Sequence, residues 1–385
     1  MPLLRLEVTP MSKPTGTPTD TNDADADEPT LPFSRRTTIG LLGAGAVLAV
    51  WIVVGLLAPD SWAGVLLSIA ASPSTHTAML RLAVPIALAA IGGIFAEKSG
   101  VINIGIEGLL IVSAFSSIVA VHWLGVGEAT AGLSNHWWGL LVGTIISVLF
   151  ALLFAVVCIE FKADQIIAGL AVWLISLGLA PFASQIVFGS PNTASVGRFS
   201  SVTIPVLSDL PLVGYLLFDT EPQVYIMLAG AAIGWYLLAR TNFGRWVVAS
   251  GENPKALDTA GVDVRKVRYA AVLLSGVFAG LGGAGFALGD LGTFAGGGDT
   301  AINGRGFIAI ATYLLANYHP IGALLGSFLF AGLNAVQNGM QAAGYAIPTE
   351  LIRVIPHMTV IVVLVLVGRT RLPDAAGDHY ESGED

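Results

Sequence analysis

Two short segments set ionisable side chains among glycines inside runs that are otherwise apolar. In Asn103-Ile104-Gly105-Ile106-Glu107-Gly108 an acid is flanked by glycines, with Asn103 one helical turn away on the same face; in Asn303-Gly304-Arg305-Gly306 the sign is reversed. A charge at the centre of a bilayer costs about 2.5–3.5 kcal/mol on insertion scales, so each of these groups needs a partner or an aqueous cavity. Arg81, Arg353 and His357 pose the same requirement. Glycine lowers helix propensity by about 1 kcal/mol relative to alanine, which predicts an irregular helix around Glu107. Irregular backbone at depth is tolerated only against protein or water. Two readings follow: the segments line a path for a solute from the two halves of the chain, or Glu107 and Arg305 neutralise one another or nearby backbone carbonyls.

Covalent and metal chemistry find no such foothold. The six histidines are dispersed, no H-E-x-x-H is present, and Cys158 is the only cysteine, so neither a metal site nor a disulfide is expected. Gly280-Leu281-Gly282-Gly283-Ala284-Gly285 matches G-x-G-x-x-G, but no strand precedes it and it lies within an apolar run. Gly276, Gly280 and Ala284 stand one turn apart instead, a spacing that lets two helix backbones approach closely. Leu274-Ser275-Gly276 looks like the start of a transport-ATPase signature loop, yet no G-x-x-x-x-G-K-[ST] phosphate cradle occurs anywhere, so this chain does not hydrolyse ATP itself.

The elements that hold these residues must be membrane helices. Hydrophobic residues make up 54% of the 385 and charged residues 11%, with a mean hydropathy of +0.76, against about 25% charged in soluble domains. The net charge of -8 sits largely in the two tails and says little about substrate. Residues 1–36, rich in Thr, Pro and Asp, are expected to be a disordered acidic tail without a cleaved signal, with Met1 and Met11 both open as the start. Residues 37–368 form the membrane domain and 369–385 a second tail.

A crossing needs about 20 apolar residues. Runs at 38–57, 78–96, 101–121, 138–159, 165–188, 224–239, 269–288 and 351–367 meet that need, and 304–340 divides at Asn317-Tyr318-His319-Pro320 into a short helix and a longer one. The expectation is an all-α polytopic bundle of about ten transmembrane helices. Arg35, Arg36, Lys98, Lys162, Arg240, Arg245, Lys255, Arg265, Lys266, Arg268, Arg369 and Arg371 then share one side, with almost only Arg198 opposite. By the positive-inside rule both termini are cytoplasmic, and the loop 189–221 faces outward as a docking surface or a passive connector.

One cytoplasmic loop carries a capped mini-helix at 253–261. Asn253 suits the N-cap, Pro254 the first helical position, and Gly261 the left-handed residue that ends it. Two turns are marginal alone in water, so the helix either packs against a partner or is an ordinary solvated loop helix.

Taken together, 99–108, the mini-helix with Ser275-Gly276-Val277-Phe278-Ala279-Gly280-Leu281-Gly282-Gly283, and Gly304-Arg305-Gly306-Phe307-Ile308-Ala309-Ile310-Ala311 resemble the permease subunits of ABC importers. The resemblance is to the ribose, branched-chain amino acid and nucleoside branch, spans roughly residues 81–373, and is nearest to nucleoside or general simple-sugar permeases. It implies a multi-pass protein of the cytoplasmic membrane, paired with a second permease subunit in a homo- or heterodimer. Cytoplasmic ATPase subunits that bind ATP and Mg would drive it, and an extracytoplasmic binding lipoprotein would feed it. It implies no cofactor on this chain and no nucleic-acid partner. Asn253, Pro254, Lys255, Ala256, Leu257, Ala260 and Gly261 would form the coupling helix, with Asn103, Glu107, Asn303, Arg305 and Phe307 along the path. Phe115 and Trp173 are further candidates for a nucleoside pocket. The rivals are a ribose or branched-chain amino acid permease, an ion-coupled secondary carrier, and an integral-membrane enzyme, for which no nucleophile or acid–base pair is found.

Overall fold

The computed structural model describes residues 49–211, 213–297, 300–344 and 371–381. Helix α1 (Ala49–Leu57) meets α2 (Trp62–Ala70) at 102°. There follow α3 (Pro73–Lys98), α4 (Ile106–Leu124), α5 (Asn135–Ala155), α6 (Gln165–Phe188), α7 (Val213–Leu217), α8 (Pro222–Arg240), α9 (Asn242–Glu252), α10 (Pro254–Thr259), α11 (Val264–Phe286), α12 (Arg305–Leu315) and α13 (Pro320–Ala342). Helices α5 and α11 each run on into a π-helical turn, Val156–Glu160 and Ala287–Leu291. The only departures from helix and loop among the described residues are two short antiparallel pairs, β1 (Ala129–Thr130) with β2 (Leu133–Ser134) and β3 (Val202–Thr203) with β4 (Asp219–Thr220).

Seven of the described helices are long and apolar enough to cross a bilayer, or eight if α1 and α2 form one broken span. The protein is a multi-pass membrane bundle. The expected ten crossings are not reached among the described residues: 351–367 lies outside them, as does the first part of 38–57. Helix α12, counted from sequence as a crossing, has 11 residues, about 16 Å at 1.5 Å per residue, and cannot traverse about 30 Å of hydrocarbon. The span expected from residue 101 begins at Ile106, because Gly105 starts the helix.

Helix α3 is the buried axis, with every residue from Leu82 to Glu97 buried. Helices α8, α9, α11, α12 and α13 pack around it, while α4 lies against α5, α6 and α11. Lipid offers no hydrophobic drive between helices, so close backbone approach decides the packing. A Cβ at Gly276 would stand 2.6 Å from the Ala151 Cβ, and one at Gly280 2.7 Å from the Thr144 Cα, both on α5. On another flank of α11, a Cβ at Gly283 would meet the Leu110 carbonyl oxygen of α4 at 2.4 Å. The Ser113 hydroxyl donates to the Gly280 carbonyl at 2.5 Å and accepts from the Ala284 N–H at 3.0 Å, inserting itself into one i→i−4 step of α11. Away from this core, α5 and α6 present Leu149, Leu152, Ile167, Leu174 and Ile186 outward.

The two ends of the bundle differ. Ser99, Lys162, Gly251, Arg268 and Asn317 lie at the end that carries α10, joined by bonds described below. At the opposite end the loop 189–221 is pinned by Thr193, Val196 and Phe199 N–H groups to the carbonyls of Phe294, Gly292 and Leu288. Arg81 is matched there by Asp290 at 3.0 Å and Glu221 at 3.5 Å; Arg353 and His357 lie outside the described residues.

Packing of this kind makes a specific prediction. Gly280→Leu should lower the thermal midpoint of the detergent-solubilised protein by several degrees, overpacking costing about 1–3 kcal/mol. Gly178→Ala, within α6 where nothing lies within 4 Å, should hold or raise the midpoint in a scanning unfolding assay.

Candidate functional site

Glu107 is 2% exposed, and its carboxylate does not seek a side chain. Oε1 accepts from the Gly304 N–H at 2.8 Å and Oε2 from the Gly306 N–H at 2.6 Å. Gly304, left-handed at φ +79, is the N-cap of α12 and offers no side-chain cap. Glu107 supplies the cap from another helix. A helix N-terminus carries unsatisfied N–H groups and a partial positive charge, so an anion there is stabilised twice, by hydrogen bonds and by the helix dipole. The fit requires glycine: a Cβ at Gly306 would lie 2.6 Å from the Glu107 Cα and amide nitrogen. Glu107 also occupies the first turn of its own helix, α4.

Arg305 turns elsewhere. Its Nη1 donates to the carbonyls of Ile302 at 2.8 Å and Ala301 at 3.2 Å, and its guanidinium lies 4.4 Å from the centre of the Phe286 ring. The two charges therefore satisfy backbone of opposite polarity, N–H for Glu107 and C=O for Arg305, rather than meeting as an ion pair within 4 Å.

A cavity of about 220 Å³ opens where α4, α6 and the start of α12 converge, lined by Glu107, Trp173, Leu177, Thr300, Asn303, Gly304 and Phe307. Trp173 and Phe307 meet edge to face, 5.2 Å between ring centres. Asn303 holds φ +49, a conformation asparagine tolerates better than most residues, and its side chain is exposed. Of the five path candidates, Glu107, Asn303 and Phe307 come together here. Asn103 does not: residues 101–105 are not helical, so the face it was expected to share with Glu107 does not exist. It is buried, with Nδ2 3.4 Å from the Ser275 hydroxyl. Phe115 packs on Phe294 at 5.5 Å, away from the lining. Leu177 and Thr300 were missed; an apolar residue in a span gives no signal, and Thr300 lies in a glycine-rich loop whose path only the fold reveals.

The far end of α12 is held by a second buried acid. The Tyr313 and Tyr318 hydroxyls both donate to the Glu97 carboxylate, the latter at 2.8 Å, and the Lys98 ammonium lies 5.5 Å from the Tyr318 ring centre. Nothing in the spacing of Glu97 and the tyrosines, more than 200 positions apart, announces this cluster.

At the α10 end, the Asn253 Oδ1 accepts from the Ala256 N–H at 3.0 Å, Pro254 holds the first helical position, and Gly261 at φ +82 reverses the chain. Leu257 is buried and anchors the helix to the bundle, whereas Lys255, Ala256, Thr259 and Ala260 are exposed. The next helix opens on Asp263, whose Oδ1 accepts from the Lys266 N–H at 3.0 Å. That bond, with the Lys266 ammonium beside it, holds the Asp263 carboxyl below the usual carboxylate range. Among the described residues no group of three or more His, Cys, Asp or Glu could hold a metal.

Comparison with known proteins places this geometry in context. Residues 76–364 match the family described as branched-chain amino acid transport system, permease component. The chain is 36% identical to a guanosine ABC transporter permease of Bacillus subtilis, over 80% of this chain and 96% of that one. It is 34% identical to a nucleoside ABC transporter permease of Lactococcus lactis, over 78% and 95%, and 34% identical to a putative glucose ABC transporter permease of Haloferax volcanii, over 70% and 78%. No solved structure matches.

Two predictions follow from these contacts. Glu107→Ala leaves two N–H groups without an acceptor, at about 1–3 kcal/mol each, and should lower the thermal midpoint; Glu107→Asp, one methylene short, should recover only part of it. For Asp263 the folded value lies below the unfolded one, so its contribution is present above the ordinary carboxylate range and is lost as pH falls through the depressed value. Asp263→Asn should flatten that acid-side dependence in unfolding measured against pH.

Proposed function

This chain belongs to the family of branched-chain amino acid transport system permease components, and on that premise we propose that it is the membrane subunit of an ABC importer whose solute is a nucleoside. Two of the three relatives compared above are guanosine and nucleoside permeases. The observation that carries the reading is the cavity at the N-terminus of α12, which combines one aromatic wall, Trp173 and Phe307, with the polar groups of Asn303, Thr300 and Glu107. A purine offers a flat face to the rings and donors and acceptors on its edges, and an apolar pocket with few placed polar groups is the usual form of a small-molecule site. Glu107 holds the backbone of that pocket while contributing negative potential to it.

Transport is then a change of shape. A pair of cytoplasmic ATPase subunits binds ATP and Mg and closes on the exposed face of α10, and the permease, paired with a second permease subunit, shifts the cavity from one side of the membrane to the other. An extracytoplasmic binding lipoprotein delivers solute to the end carrying the loop 189–221. ATP supplies the free-energy difference between the two states that the solute alone does not. In this arrangement Gly276, Gly280 and Ala284 keep α11 seated on α5 as the bundle moves.

The test is uptake by liposomes holding the complete transporter. Labelled guanosine should accumulate on ATP addition and be competed by nucleosides but not by glucose; competition by glucose instead would move the assignment to simple sugars, in line with the Haloferax relative. Base–aromatic stacking is worth about 1–3 kcal/mol, so Trp173→Ala and Phe307→Ala should each reduce uptake about tenfold at low guanosine concentration while leaving assembly intact. Unchanged uptake in both variants would remove the cavity from the path.

A further inference from the structure

The described C-terminal residues, 371–381, are fitted to the bundle rather than trailing from it. The Arg371 N–H donates to the Asn317 Oδ1 at 3.2 Å, the Ala375 N–H to the Gly251 carbonyl at 2.8 Å, and the Gly377 N–H to the Gly100 carbonyl at 3.0 Å. Arg268 of α11, 4% exposed, donates from Nη1 to the Asp378 carbonyl at 2.7 Å and from Nε toward the Ser250 hydroxyl at 3.4 Å. Lys162 pairs with Glu381. Gly100, at φ +91, leaves the room these contacts need: a Cβ there would stand 2.9 Å from the Arg268 Nη2 and 3.1 Å from the Ala375 carbonyl oxygen. Ordering a residue costs about 1–2 kcal/mol of backbone entropy. A segment bound at this many separate points is a component of the fold.

The last of these contacts reaches α10. The Tyr380 hydroxyl donates to the Asp258 Oδ2 at 2.8 Å. Helix α10 has six residues, too few to hold an orientation by itself, and its one buried side chain is Leu257. Between α10, the start of α11 and the Tyr380 ring lies a cleft of about 380 Å³, lined among others by Asp258, Val262, Asp263, Arg265 and Tyr380. Arg265 directs its guanidinium to Glu160, Asp263 pairs with Lys266 at 3.1 Å, and Asp258 accepts from Tyr380, so these charged groups of the cleft are matched within the chain. The exposed Asp378 and His379 continue the surface begun by Lys255, Ala256 and Thr259.

We propose that α10 and residues 378–381 form one docking surface for the cytoplasmic ATPase, with Asp378 and His379 extending the exposed face of α10. Tyr380 is a positioning residue that fixes the angle at which α10 is presented. This rests on the reading of α10 as the coupling element. It adds a second chain segment to that interface, continuous with α10 and sharing its cleft.

The experiment titrates the purified ATPase onto the full-length permease in nanodiscs and follows both binding and solute-stimulated ATP hydrolysis. Three variants are compared: a stop after Gly377, Tyr380→Phe, and Ala256→Asp on the exposed face of α10. The truncation should weaken binding about tenfold and Tyr380→Phe about threefold, the loss expected of charge-assisted contacts, with thermal midpoints unchanged for Tyr380→Phe. Wild-type affinity in the truncation and in Tyr380→Phe, with binding lost in Ala256→Asp, would overturn the tail's role and leave α10 as the coupling element. Wild-type affinity in all three would overturn both. If the truncated chain fails to insert, Tyr380→Phe decides: reduced stimulation at an unchanged midpoint supports the proposal, and normal stimulation overturns it.

Discussion

A carboxylate bound to the two N–H groups at the start of a helix inside the membrane is the contact on which this architecture turns. Helix α12 begins within the bundle, and its own N-cap, Gly304, has no side chain to offer its first N–H groups. Glu107 supplies the acceptor. The neighbouring features follow from that need. Gly306 must lack a side chain for the two backbones to approach, Gly304 must turn left-handed to aim its N–H, and α4 must start at Ile106 so that Glu107 stands at the convergence of α4 and α12. The same contact sets the floor of the cavity, since Gly304 and Glu107 both line it.

The residues between Glu97 and Glu107 join this centre to the end that carries α10. Glu97 receives both tyrosine hydroxyls from the far end of α12 and its following turn, so a single stretch of eleven residues, Glu97 to Glu107, holds α12 at its two ends. The Ser250 hydroxyl donates to the Ser99 carbonyl at 2.9 Å, and Gly251 packs so closely on the Lys98 carbonyl that a Cβ would stand 2.4 Å away. Helix α9 ends one residue later and α10 begins two residues after that. A contiguous chain of hydrogen bonds and close backbone contacts thus runs from the exposed mini-helix to the cavity.

Much of this was legible in the sequence, for definable reasons. Composition fixes the membrane class, because no soluble fold tolerates so few charges over so many apolar runs. The cap chemistry of Asn253, Pro254 and Gly261 marks α10 because capping is local, settled by residues three or four apart. Glu107 stands out because a lone acid in an apolar run must be satisfied somewhere. What satisfies it was not legible: the partners are backbone N–H groups nearly 200 positions away, and backbone has no residue type to read. For Arg305 the sequence left two partners open, Glu107 or nearby backbone carbonyls, and it is the carbonyls of its own loop that Arg305 takes. Asn103 was placed on the Glu107 face by assuming helix through 101–105, where glycine in fact delays the helix start. Helix α12 was counted as a crossing because hydropathy registers apolar residues and not the depth at which a helix begins.

Amide hydrogen exchange at Gly304 and Gly306, read residue by residue in the intact protein, tests the central contact most directly. If the Glu107 carboxylate accepts from both N–H groups, the two amides should exchange as slowly as those in the body of α12, and Glu107→Ala should release them selectively while the amides beyond the first turn stay protected. Exchange of Gly304 and Gly306 in the unaltered protein at the rate of the exposed loops would contradict the account.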